Sequence, residues 1–246
     1  MNYFNKEWCE SCQRIGLHLI LEEDKQAEIF SEEYFQQLYN QKLIEFLDSW
    51  KEIASITNKP FDKENLTKQF EDSFIYNQEY TKKLLPQDIL IKIADIRVYV
   101  LNKATHQVIN DVALFCEYNK QLVERTIKQY NKHYKKVLNS FNKNVIENIH
   151  FHDCIITDIR QSEESLSITF DNSNGFTDIY EVQFHNYKLI NQDNLLKYSW
   201  WLHDEIYITN GKYELQVLLE NKNSNLVEFS VYAEHISFKR NQVDLQ

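Results

Sequence analysis

A chain of 246 residues, 43% of them hydrophobic, can bury a core as one large domain or two modest ones. Three scattered glycines and two prolines exclude a Gly-rich phosphate loop and a dinucleotide fingerprint, each of which needs several glycines in one short stretch. A formal charge of −10 argues against nucleic-acid binding through the whole surface, because phosphates must be neutralised by basic side chains.

The opening residues, "MNYFNKEWCESCQ", lack the uninterrupted apolar run of a signal peptide, and no stretch approaches the length of a membrane span. Cys9 and Cys12 form a C-x-x-C word. It reads either as half a metal site or redox pair, or as two positions sharing one helix face. With Cys116 and Cys154 the thiols are too few and too scattered for a secreted disulfide scaffold, so a cytoplasmic protein is expected.

Ser31 can cap a helix whose first turn carries Glu32 and Glu33, and Phe35, Leu38, Tyr39, Leu43, Phe46, Leu47, Trp50, Ile53 and Ala54 follow the helical period until Pro60. Asp62 caps a second helix with Leu66, Phe70 and Phe74 on one stripe. Pro86 suits the first turn of a third, through Ile89, Leu90, Ile93, Ile96 and Val100. Thr105 caps a further helical pattern over 105–143, as one helix or two. Its last part carries seven basic residues, among them Lys128, Lys132 and Lys136, against Glu124 alone; this reads as a solvated helix face rather than a nucleic-acid surface.

Near Val145 the hydrophobic period falls from 3.6 to 2. "CIITDI", "SLSITF", "IYEVQF", "EIYITNGKYELQVLL" and "LVEFSVYAEHISF" read as strands, and Asn210-Gly211 is a strong hairpin signal. The expected class is α+β: a helical domain over 1–145 and an antiparallel β domain over 146–246. The charge divides with them. Residues 1–145 hold 20 basic and 21 acidic side chains, whereas 146–246 hold 7 and 16.

Several short words, "YFNKEW", "FSEEYFQQLYN", "IADIRV", "FHDC", "FDNSNGFTD" and "WLHDEIY", together resemble an uncharacterised bacterial family, domain of unknown function 4085, of low-GC Gram-positive bacteria. The resemblance runs over nearly the whole chain. It implies a bacterial cytoplasmic protein and lends no catalytic residues.

Two His-Asp words stand about 50 residues apart, His152-Asp153 and His203-Asp204, the second followed by Glu205. With Asn210 and Gly211 at a two-residue turn, Asp204 falls opposite Val217 on the apolar face with Ile206 and Ile208, while His203 and Glu205 point the other way. The same alternation sets Phe151, Asp153 and Ile155 on one face and His152, Cys154 and Ile156 on the other. A carboxylate turned toward a core must be hydrogen-bonded or paired, so each aspartate is expected to be buried and to pin the start of its strand. The competing reading joins both aspartates in one polar pocket, with His152, His203 and Asp204 as metal ligands in its sharpest form. Of the adjacent Trp200 and Trp201, one points in and the other out, as a binding anchor or a cap on the sheet.

The expected function is a non-enzymatic interaction or immunity-like module whose acidic β half meets a basic protein partner, with no cofactor. Candidate binding residues are Asp153, Trp200, Trp201, His203, Asp204 and Glu205. The alternative is a metal-dependent hydrolase built on the His-Asp words.

Overall fold

The computed structural model describes residues 1–192 and 196–241. In chain order these form α1 (Lys6–Arg14), β1 (Glu22–Glu23), a 3-10 turn (Lys25–Glu28), α2 (Glu32–Thr57), α3 (Lys63–Leu84), α4 (Gln87–Leu90), α5 (Ile96–Val100), β2 (Lys103–Ala104), α6 (His106–Ser140) and α7 (Lys143–Asn148). The strands β3 (Ile155–Gln161), β4 (Ser165–Asp171), β5 (Ile179–His185), β6 (Lys188–Gln192), β7 (Trp200–Thr209), β8 (Lys212–Glu220), β9 (Leu226–Ala233) and β10 (His235–Arg240) follow. The class is α+β, with helices first and an antiparallel sheet second. The chain divides into two compact units, Glu10–Gln121 on the one hand and Met1–Cys9 with Leu122–Gln246 on the other. These limits differ from the change of secondary structure near residue 150, because the first nine residues and the last part of α6 belong with the sheet.

In the helical unit, Ser31 and Asp62 cap α2 and α3 by accepting the N–H groups of Tyr34 and Asn65. Asn58, in the left-handed region, closes α2 ahead of Pro60. Only Phe35 and Leu38 of the α2 stripe are buried, packed with Val98 and Leu101. Ile44, Trp50, Ile53 and Ile56 stay exposed. The single helix expected after Pro86 is broken into α4 and α5. Asp95 accepts the N–H of Arg97 and pairs with its guanidinium at 2.8 Å, and that cap starts a new helix. The pattern from Thr105 is one helix as far as Ser140, with Thr105 Oγ1 accepting the N–H of Val108 at 3.3 Å.

In the other unit the eight strands run in the order β10-β5-β4-β3-β7-β8-β9-β6. Asn210 and Gly211 both have positive φ, 52° and 76°, and Thr209 pairs with Lys212 as a two-residue hairpin requires. β3 and β7 share one bridge, Ile155 with Trp200. Beyond it the sheet folds over, bringing β10 near β8 and β5 near β9 around one core. Val137, Ile146 and Ile149 join that core from α6, α7 and the residue after it. The strand β6 escaped sequence reading because it is short and lies between better-patterned neighbours.

Two local departures from alternation decide where the candidate residues point. The register shifts between Trp201 and His203, so Leu202 is an extra residue in β7. Trp201 therefore shares the inner face with Asp204 and is 0% exposed, while Trp200 shares the outer face with His203 and is 40% exposed. Before β3, Asp153 takes a φ of 66°. That turn sends Phe151, Cys154 and Ile156 all into the core and leaves the Asp153 side chain 39% exposed, contrary to the burial expected from simple alternation. Close packing holds the turn in place: a Cβ at Gly175 would lie 2.5 Å from the Cys154 sulfur and 3.2 Å from the His152 carbonyl oxygen.

Candidate binding pocket

Among the described residues, no strand but β8 pairs with β7 from Leu202 onward, beyond its bridge to β3, and this free edge must find other partners. Residues of α6 supply them. The Ile206 N–H donates to the Tyr130 hydroxyl at 3.2 Å, and His133 Nε2 donates to the Ile206 carbonyl at 3.0 Å. The first residues of the chain cover the outer side. The N–H groups of Asn2, Tyr3 and Phe4 converge on the Glu205 carboxylate at 2.9, 2.8 and 2.6 Å, and the Tyr207 hydroxyl donates to it as well. Glu205, on the outward side by parity, is thereby 0% exposed. Its four donors make it a structural clasp rather than a surface acid.

A pocket of about 270 Å³ opens beside this edge, lined by Phe4, Tyr130, Asn131, Tyr134, Ile149, His150, His152, Leu202, His203 and Asp204. The two His-Asp words thus meet. The rings of His152 and His203 are 5.4 Å apart, and His152 Nδ1 lies 3.6 Å from a carboxylate oxygen of Asp153. Trp8 packs edge-on against His203 at 4.8 Å. Asp204 is deep among packed atoms yet keeps part of its surface on the pocket, and Trp201 Nε1 donates to one of its oxygens at 2.9 Å.

The surroundings move two acidities toward neutral forms. Burial, with the His152 charge beside it, lowers the His203 imidazole to about 4 against a weaker upward pull from Asp153. Burial raises the Asp204 carboxyl to about 6, with Glu205 adding to the rise and the Trp201 hydrogen bond and His152 opposing it. Groups so displaced inside a pocket mark a site where the fold tolerates an unfavourable charge.

A family model described as "Protein of unknown function (DUF4085)" matches residues 29–233. The chain belongs to this family. No curated protein and no solved structure matches it. The match takes in α2 to β9 and so includes every lining residue of the pocket except Phe4.

Of the candidates read from sequence, His152, His203 and Asp204 line the pocket, Asp153 flanks it, Glu205 holds residues 2–4, Trp201 is core and Trp200 lies outside it. Among the described residues, no group of three or more His, Cys, Asp or Glu is placed to hold a metal ion. Sequence reading did not single out Phe4, Tyr130, Tyr134 or His150 for this site. Tyr130 and Tyr134 are four apart on α6 and His150 is two before His152, so their spacing was the available signal. Among the described residues no helix is long and apolar enough to cross a membrane.

Proposed function

We propose that the protein is a non-enzymatic binding module whose acidic β half docks a basic protein partner, in the manner of an immunity protein. The supporting observation is one register row crossing five strands. Asp171, Ile155, Trp200, Glu220 and Leu226 are paired in sequence across β4, β3, β7, β8 and β9, so their side chains share the outer face. An exposed tryptophan flanked by Ile155 on one side and Glu220 on the other, with Asp171 and Leu226 at the ends of the row, combines an aromatic interface anchor with apolar and acidic neighbours. Asp153, exposed before β3, adds to the acidic side. The partner this row suits offers Lys or Arg around an apolar contact. The buried Cys116 and Cys154 thiols suit a reducing cytoplasm.

NMR titration with short peptides rich in Lys and Leu tests the reading. Shifts should centre on the Trp200 indole, Ile155 and Leu226. Binding should weaken as salt rises, because exposed charges are screened over about 8 Å at physiological ionic strength. Glu220→Lys should slow association and Trp200→Ala should speed dissociation. Peptide shifts that leave this row untouched, or binding indifferent to both substitutions, would remove the proposal.

A further inference from the structure

The geometry points to an alkylammonium site: the pocket beside the free edge of β7 receives a protonated amine on a short aliphatic chain, with the Asp204 carboxylate as its counter-ion. This goes beyond the docking face and does not depend on it.

Asp204 reaches the pocket from the inner face of β7, and no lysine or arginine is among the lining residues. A carboxylate set this deep with imidazoles but no lysine or arginine beside it costs free energy, and a permanent cation arriving in the pocket recovers it. Three aromatic rings, Phe4, Tyr130 and Tyr134, line the same space, with Phe4 edge-on to Tyr130 at 4.6 Å. Aromatic faces beside a carboxylate are the surroundings that hold ammonium groups. The other ionisable groups around Asp204 are His150, His152 and His203 on the pocket wall, the two tyrosines of α6, Asp153 beside His152, and Glu205, whose carboxylate is spent on residues 2–4.

Three observations narrow the class. Trp201 Nε1 already occupies one Asp204 oxygen, so the two-pronged pairing that a guanidinium prefers is half blocked, whereas an ammonium needs a single oxygen. A divalent metal would need several close ligands, and the described residues hold no such group. The volume of about 270 Å³ lies below the span of about 300–1,000 Å³ typical of drug-sized ligands and suits one short chain. That chain is either a free amine or a lysine side chain of another protein; both carry the same chemistry.

The test is NMR titration of the full chain at neutral pH with n-butylamine, blocked lysine (Nα-acetyl-lysine methylamide), butylguanidine and 1-butanol. Butylammonium should shift Asp204, His203 and Tyr134 in a saturable way, and the neutral alcohol and the guanidine should bind more weakly. Asp204→Asn should weaken butylammonium by about tenfold or more, as loss of a desolvated charge contact does. Tyr134→Ala should weaken it independently of that charge. Blocked lysine binding more tightly than butylammonium assigns a lysine side chain; the reverse assigns a free amine. No saturable shift at these residues, equal affinity for the alcohol, or unchanged affinity in Asp204→Asn would overturn the site. None of these outcomes bears on the Trp200 face, which the peptide titration reads separately.

Discussion

Glu205→Ala should lower the stability of the sheet unit by about 2–4 kcal/mol, the range for removing a buried charged acceptor from several donors. The N–H groups of Asn2, Tyr3 and Phe4 and the Tyr207 hydroxyl would all lose their acceptor. The loss stays below the sum of four charged hydrogen bonds because the first residues can lift away and be hydrated. Lifting them removes the rings of Tyr3 and Phe4 from Tyr130, at 5.5 and 4.6 Å, and uncovers the free edge of β7. Glu205→Gln keeps one acceptor oxygen and should lose about half as much. Urea unfolding gives the magnitude, and amide exchange at residues 2–4 shows that the clasp is what opened. Exchange there that is unchanged in Glu205→Ala would contradict it.

Asp204→Asn should act in the opposite direction and stabilise the protein by about 1–2 kcal/mol at pH 7. One unit of pKa corresponds to about 1.4 kcal/mol, and part of the effect is screened because the carboxyl opens onto the pocket. The carboxyl rises from 3.8 to about 6 on folding. Below pH 3.8 both states carry the proton and the group has no influence. As pH climbs toward 6 the unfolded chain ionises first, so stability falls, and above 6 the full penalty is present. Asparagine keeps an oxygen for Trp201 Nε1 and carries no charge. The variant should therefore gain over the wild type progressively between pH 4 and 6. This sign separates a carboxylate kept for a ligand from one that pins a strand, since a pinning group would cost stability when replaced. Denaturant midpoints at pH 3.5 and pH 7 read the difference.

Much of the architecture was legible because local signals agreed with one another. Ser31, Asp62 and Thr105 announced helices that form where they stand, and Asn210-Gly211 fixed the β7–β8 register residue by residue, Asp204 opposite Val217 included. What escaped was set by single-residue backbone departures. An extra residue at Leu202 and a positive φ at Asp153 each reverse the parity of everything before them, and composition gives no warning of either. The clasp on Glu205 joins residues about 200 positions apart through backbone N–H groups, which carry no side-chain identity to read. The pocket was half visible: the two His-Asp words were recognised as a possible pair, but its aromatic wall comes from α6 and the first residues, where each ring alone looks like ordinary core.

The carboxyl of Asp204 carries the central claim, that the fold holds a poorly compensated acid open to a pocket. Its side-chain carbon can be followed by NMR from pH 3 to pH 8 in uniformly labelled protein. The expected midpoint is about 6, moving down when butylammonium is present. A midpoint near 3.8, unmoved by the amine, would show a carboxylate already satisfied within the fold and would contradict the account.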